Sequence, residues 1–129
     1  MRVSAVVVLI LGLVALVFGI VFITQAGSAE DEIAESIAPL QLDDVDSRYE
    51  DVKAQQSAMR MVEGPAIQTG ADPSAMYNYL TIQRTSLGLT RSQIGLASVT
   101  RTSGIINIIV GLGLILAGVG LFKKSQSAA

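Results

Sequence analysis

The side chains that could do chemistry in this chain are few and of narrow type. There is no Cys, no His and no Trp. Thiolate and imidazole metal sites, Cys or His nucleophile and base pairs, and disulfides are thereby excluded. Ser, Thr, Tyr, Lys and carboxylates remain. Asp43, Asp44, Asp46, Glu50 and Asp51 form a cluster of oxygen ligands of the kind calcium takes. The cluster lacks the alternating Asp/Asn pattern, the turn glycine and the closing Glu of a calcium loop, and helix capping on a solvated face accounts for it more simply. Paired carboxylates can also serve as acid and base, but these sit on polar helical segments with no apolar pocket to raise a pKa. Lys53 is the one lysine between the apolar ends of the chain, and no Gly-x-Ser-x-Gly, Ser-x-x-Lys, phosphate-loop or dinucleotide motif accompanies it. The expectation is a protein that is not an enzyme, with no cofactor, no metal and no evident small-molecule substrate. Net charge is −2 without a basic cluster, so nucleic acid is not an expected partner.

Packing signals are richer than chemical ones. Gly104, Gly111 and Gly118 recur every seven residues, as do Gly12 and Gly19. Gly113 and Gly120 make a further pair, and Gly113 with Ala117 and Ala15 with Gly19 give small-xxx-small spacings. Such residues let helix backbones approach closely, which drives association where lipid supplies no hydrophobic effect. The simpler account is that apolar spans are rich in glycine anyway. The regular spacing favours specific packing, either within one chain or between copies. Arg84–Thr90 is followed by a near-repeat, Arg91–Ala97, that places Gly88 and Gly95 in register. A strict period of seven implies left-handed winding against a partner helix. Asn107 is the one strongly polar side chain in either apolar run, close enough to its outer end to reach headgroups or water. Met76, Tyr77 and Tyr79 open the last helical segment. They are a candidate contact patch for another protein, or a plug over the neighbouring loop.

The elements that carry these residues follow from hydropathy. Val3 to Ile23 and Gly104 to Phe122 are apolar runs without charge. Each approaches the roughly 20 residues needed to cross a bilayer as a helix. The fold class expected is all-α: a two-span transmembrane helical hairpin with an extramembrane, three-helix, coiled-coil-like domain between the spans. In residues, 1–2 form a short N-terminus, 3–26 the first span, 27–103 the outer domain, 104–122 the second span and 123–129 a tail. Arg2 precedes the first run, Lys123 and Lys124 follow the second, and Glu30, Asp31, Glu32 and Glu35 come directly after the first. The positive-inside bias then puts both termini in the cytoplasm and the middle outside, with Arg101 pulling the other way. A cleaved signal peptide, cut near Gly27-Ser28-Ala29, is the rival reading. The apolar run is longer than a signal core, and Ala-x-Ala is missing.

Within the outer segment, Pro39, Gly64-Pro65 and Asp72-Pro73 are the punctuation marks. They divide it into helices over about 27–38, 44–63 and 73–103. Every seventh residue from Ala5 (Ala5, Gly12, Gly19, Ala26, Ile33, Leu40) is small or apolar, which favours one helix continuous through Gly27 over a break with Ser28 as cap. Val45, Tyr49, Val52, Met59 and Val62 form one stripe on the middle helix, with Gln56 as its polar member, and Asp44 is spaced to pair with Arg48. Because the first helix rises and the last descends, a three-helix arrangement requires the middle helix to descend part way and the segment 64–72 to climb back.

Three functional readings follow. The first is a non-enzymatic integral membrane protein, an interaction, scaffold or accessory subunit of a cell-envelope assembly, working with the lipid bilayer and as a homo-oligomer or part of a larger membrane complex through its glycine-lined faces. The second is the input half of a two-span signalling receptor whose output domain belongs to a partner chain. The third is a holin-like pore-former, which needs a polar span face that only Asn107 and glycine backbone could provide.

Overall fold

The computed structural model describes residues 2–127; Met1 and the last two residues of the expected tail, 128 and 129, lie outside the described residues. Among the described residues every regular element is helical: α1 (Arg2–Ile37), a single 3-10 turn (Leu42–Asp44), α2 (Val45–Gln68) and α3 (Ala75–Ser127). α1 and α3 are both long and apolar enough to cross a membrane. α1 passes through Gly27 without interruption and stops before Pro39, whose ring disfavours helical backbone at the preceding residue.

The segment 64–72 departs from expectation. α2 does not end at Gly64-Pro65 but continues to Gln68, with Pro65 inside it. Pro65 removes one backbone donor near the C-terminal end, where few intrahelical bonds remain to be lost. The true stop is Gly70, at φ +99°, the left-handed backbone that a glycine accepts without strain. Its N–H donates to the Ile67 carbonyl at 3.0 Å, and the Ala71 N–H donates to that of Ala66 at 3.0 Å. Nor does Asp72-Pro73 cap α3. Ser74 does: its Oγ accepts the Tyr77 N–H at 3.1 Å. The chain therefore turns from α2 directly into α3 over residues 69–74. The middle helix does not descend, and no loop has to climb back.

The chain divides into two compact units. One joins Met1–Glu30 to Leu96–Ala129, and the other is Asp31–Gly95. In the first unit the buried positions of α1 are Ala5, Gly12, Gly19 and Ala26, and those of α3 are Ala97, Gly104, Gly111, Gly118 and Ser125. Both lines have a period of seven. In the second unit Val45, Val52, Gln56, Leu80 and Thr90 are buried, with Ile33 from the end of α1. The expected stripe on α2 runs out before Val62, which is 77% exposed.

Candidate functional site

In the first unit, glycine carries the contact between α1 and α3. A Cβ on Gly12 would lie 2.9 Å from the Gly111 carbonyl oxygen, and one on Gly111 would lie 2.7 Å from that of Gly12. Gly19 and Gly104 are related in the same way, at 2.7 and 2.8 Å. Seven residues forward on α1 thus correspond to seven residues back on α3, so the two helices run antiparallel. Gly118 lies against Leu9, whose Cγ would be 2.7 Å from an added Cβ. Such spacing leaves no room for any side chain larger than hydrogen, and the close backbones gain dispersion and weak Cα–H···O contacts. Ile23, Ile108, Ile115 and Leu16 border the same contacts. Toward the Glu30 end, the Arg101 Nη2 donates to Glu30 Oε2 at 2.6 Å, linking residues 71 positions apart.

Other expected packing residues lie elsewhere. Gly88 belongs to the second unit and faces the Tyr49 ring, with Cε2 3.3 Å from where a Cβ would sit. Gly95 is exposed with nothing within 4 Å, as are Gly113 and Gly120. The buried line of α3 runs two positions C-terminal to the Gly88 and Gly95 line of the internal repeat.

In the second unit α2 runs antiparallel to α3, and polar contacts recur along the pair. Near its start, Asp46 Oδ1 meets Arg91 Nε at 2.7 Å, and Glu50 meets Lys53 at 2.9 Å and Arg91 at 3.7 Å. The hydrogen bond from Lys53 holds the Glu50 carboxyl below its ordinary value, and the charges of Lys53, Arg91 and Arg84 add to this. The Arg91 guanidinium also stands 5.5 Å from the Tyr49 ring centre. Two turns on, Gln56 is 7% exposed and fully used. Its Nε2 donates to Thr81 Oγ1 at 3.2 Å, and its Oε1 accepts from Arg84 Nη1 at 2.6 Å. At the far end Glu63 grips the cap of α3. The Ser74 N–H and Oγ–H donate to its two oxygens at 3.0 and 2.6 Å, which holds the Glu63 carboxyl below its ordinary value.

The acidic cluster of the first turns of α2 is thus partly committed to cations of α2 and α3. Among the described residues no group of three or more Asp or Glu is placed to share a metal ion. The Asp44–Arg48 pair suggested by spacing does not form: among the described residues Arg48 has no carboxylate within 4 Å. It lines instead a cleft of about 560 Å³ with the end of α1 and the middle of α3. Nothing in the sequence marks Arg48 beyond its helical spacing, because the cleft is made by segments far apart in the chain.

Met76 and Tyr79 are 53% and 55% exposed, and Tyr77 is half-buried. Met76 joins Met59, Val62 and Leu80 along an apolar groove of about 370 Å³, and Tyr79 Oη accepts from Gln83 Nε2 at 2.8 Å. Two of the three are thus largely exposed, and Tyr77 is partly covered. No known protein family, curated protein or solved structure matches this chain.

Proposed function

We propose that this chain is an integral membrane protein whose α1 and α3 cross the bilayer as a preformed antiparallel hairpin, and that the unit between them is an interaction or scaffold element of a cell-envelope assembly. One observation carries the membrane half of this reading. The most apolar window of each long helix is only 11% buried within the structure. A core helix of a water-soluble protein would be mostly covered; here the glycine seam covers one narrow face and leaves Ile10, Leu13, Val17, Ile109 and Leu116 bare. Apolar surface on that scale needs hydrocarbon around it. The heptad spacing of the buried residues supports coiled-coil-like winding of the pair.

We base the proposed orientation, with both termini cytoplasmic, on the cations at the span ends: Arg2, Lys123 and Lys124 lie at one end, and Arg101, paired with Glu30, at the other. The seam glycines are occupied within one chain, so assembly with further copies or a larger complex falls to other surfaces. The Met76 and Tyr79 end of the outer unit is the best candidate, since Met and Tyr are enriched in interface cores. Carbonate extraction tests the membrane reading: the full-length chain should stay in the membrane pellet, and release of an N-terminally shortened product would overturn it. A photo-crosslinker at position 79 tests the scaffold reading. A discrete adduct is expected, and recovery of uncrosslinked monomer alone would count against it.

A receptor-like input role is the second reading. The cleft beside Arg48 favours it, because a signalling input needs a place for a ligand in its outer unit.

A further inference from the structure

We infer that the cleft where the end of α1, the start of α2 and the middle of α3 meet binds a small organic monocarboxylate with a short hydrocarbon body. The cleft lies wholly within the unit Asp31–Gly95. The inference goes beyond the membrane and scaffold reading and does not rest on it. Its volume, about 560 Å³, is in the ordinary range for small-molecule sites. Ile37, Pro39, Leu40 and Leu87 supply apolar wall, and Ser36, Gln83, Arg48 and Ser86 supply polar groups, of which Ser36 and Gln83 already donate to the Ile33 carbonyl and Tyr79 Oη.

Of these four, Arg48 and Ser86 keep their donors free of protein partners among the described residues. Lys53, Arg91 and Arg101 each hold a carboxylate, and Arg84 spends a donor on buried Gln56. Arg48 has no such partner among the described residues; Arg60 has none either, but it does not line this cleft. Likewise Thr81, Thr85 and Thr90 on α3 all donate to the carbonyl four residues back. Ser86 makes no side-chain hydrogen bond among the described residues; Ser92, Ser98 and Ser103 of the same helix share this, but of the four it is Ser86 that lines the cleft. A guanidinium fork and a hydroxyl thus line one cleft with their donors uncommitted to protein.

The chemistry of the walls narrows the ligand. A planar guanidinium matches a carboxylate with two parallel hydrogen bonds. One cation neutralises one negative charge. Asp44 and Asp51, one turn either side of Arg48 on α2, disfavour a dianion such as a phosphate monoester. Leu87, Ile37 and Leu40 favour a hydrocarbon body over a sugar or a second charged group.

The test uses the full chain in lipid nanodiscs with 6,6,6-trifluorohexanoate as the probe, read by fluorine NMR line broadening. Saturable broadening above that of empty nanodiscs is expected. Hexanoate should compete, and the neutral hexanamide should not. Arg48→Gln should weaken binding by about tenfold to a hundredfold, the effect of losing a charged hydrogen-bond partner. Ser86→Ala should weaken it by about threefold to tenfold. Broadening no greater than in empty nanodiscs, or equal competition by acid and amide, would overturn the inference. Because the amide comparison uses the unaltered chain, it decides the matter even if a variant folds poorly.

Discussion

Gly12 and Gly111 present their backbones to each other so closely that a Cβ on either would come within 3 Å of the other's carbonyl oxygen. Backbone atoms cannot rotate aside as a flexible side chain can. Alanine at either position must therefore push the helices apart, at a cost of about 1–3 kcal/mol. Gly113→Ala is the matched control. It meets nothing within 4 Å, so relief of the glycine penalty should leave it neutral or up to about 1 kcal/mol more stable. Thermal or denaturant unfolding of Gly12→Ala, Gly111→Ala and Gly113→Ala in one detergent checks the contrast. Equal stability of all three would contradict the seam.

The grip of Glu63 on Ser74 predicts a pH effect at the turn between α2 and α3. The hydrogen bonds from Ser74 place the folded-state pKa of Glu63 below its ordinary value of 4.5. The contribution is therefore fully present above that value, and it is lost as pH falls through the lower, folded-state pKa. Ser74→Ala removes the cap and the hydroxyl's bond to Glu63 while keeping the backbone N–H bond, and the lost cap should cost about 1 kcal/mol. The protection factor of the Tyr77 amide, whose N–H bonds to Ser74, should fall as the solution is acidified through that range, after correction for the intrinsic pH dependence of exchange, and should lose that fall in Glu63→Gln.

Much of the first unit is legible in the amino-acid sequence. The line Ala5, Gly12, Gly19 and Ala26 is buried at each step, because small residues every seventh position in an otherwise bulky apolar run mark one face; beyond that unit Ile33 is buried too, whereas Leu40, the last member of the line, is half-buried and lies past the end of α1. On α3 the period was legible but the phase only partly so. Gly104, Gly111 and Gly118 lie on the buried line, whereas the repeat-derived Gly95 lies off it, since a repeat shows how often a face recurs and not which face a partner covers. Local punctuation misled at Pro65, where a helix near its end tolerates a lost donor. The Ser74 cap, clasped by a glutamate eleven residues earlier, and the unpaired Arg48 depend on contacts between separate segments, which spacing alone does not reveal.

Gln56 was visible as a polar interruption of an apolar stripe, and its two hydrogen bonds explain why it is kept there. Gln56→Leu leaves Arg84 and Thr81 each short of a partner, so it should destabilise by about 1–3 kcal/mol despite its apolar gain. Arg84→Met added to Gln56→Leu should recover part of that loss, since the stranded guanidinium goes with it. A double-mutant cycle by chemical denaturation measures the coupling. Strictly additive effects would mean that the two side chains do not act together.

The Glu30–Arg101 ion pair should matter less for stability than for orientation. Both side chains keep partial contact with solvent, and exposed pairs contribute about 0–1 kcal/mol, less in high salt. Arg101→Ala should therefore unfold almost like the parent. Glu30→Lys is different: it pairs nothing, faces Arg101 with like charge and adds a second cation beside the proposed outer end of α3. By the positive-inside bias it should move a measurable fraction of molecules into the reversed orientation, and Glu30→Lys with Arg101→Glu should move most of them back, since this end then carries one cation again, as in the parent. Labelling of single cysteines placed at Ser127 and Thr69 with a membrane-impermeant reagent reads the two orientations. An unchanged pattern in Glu30→Lys would show that the charge of this pair does not set the direction of insertion.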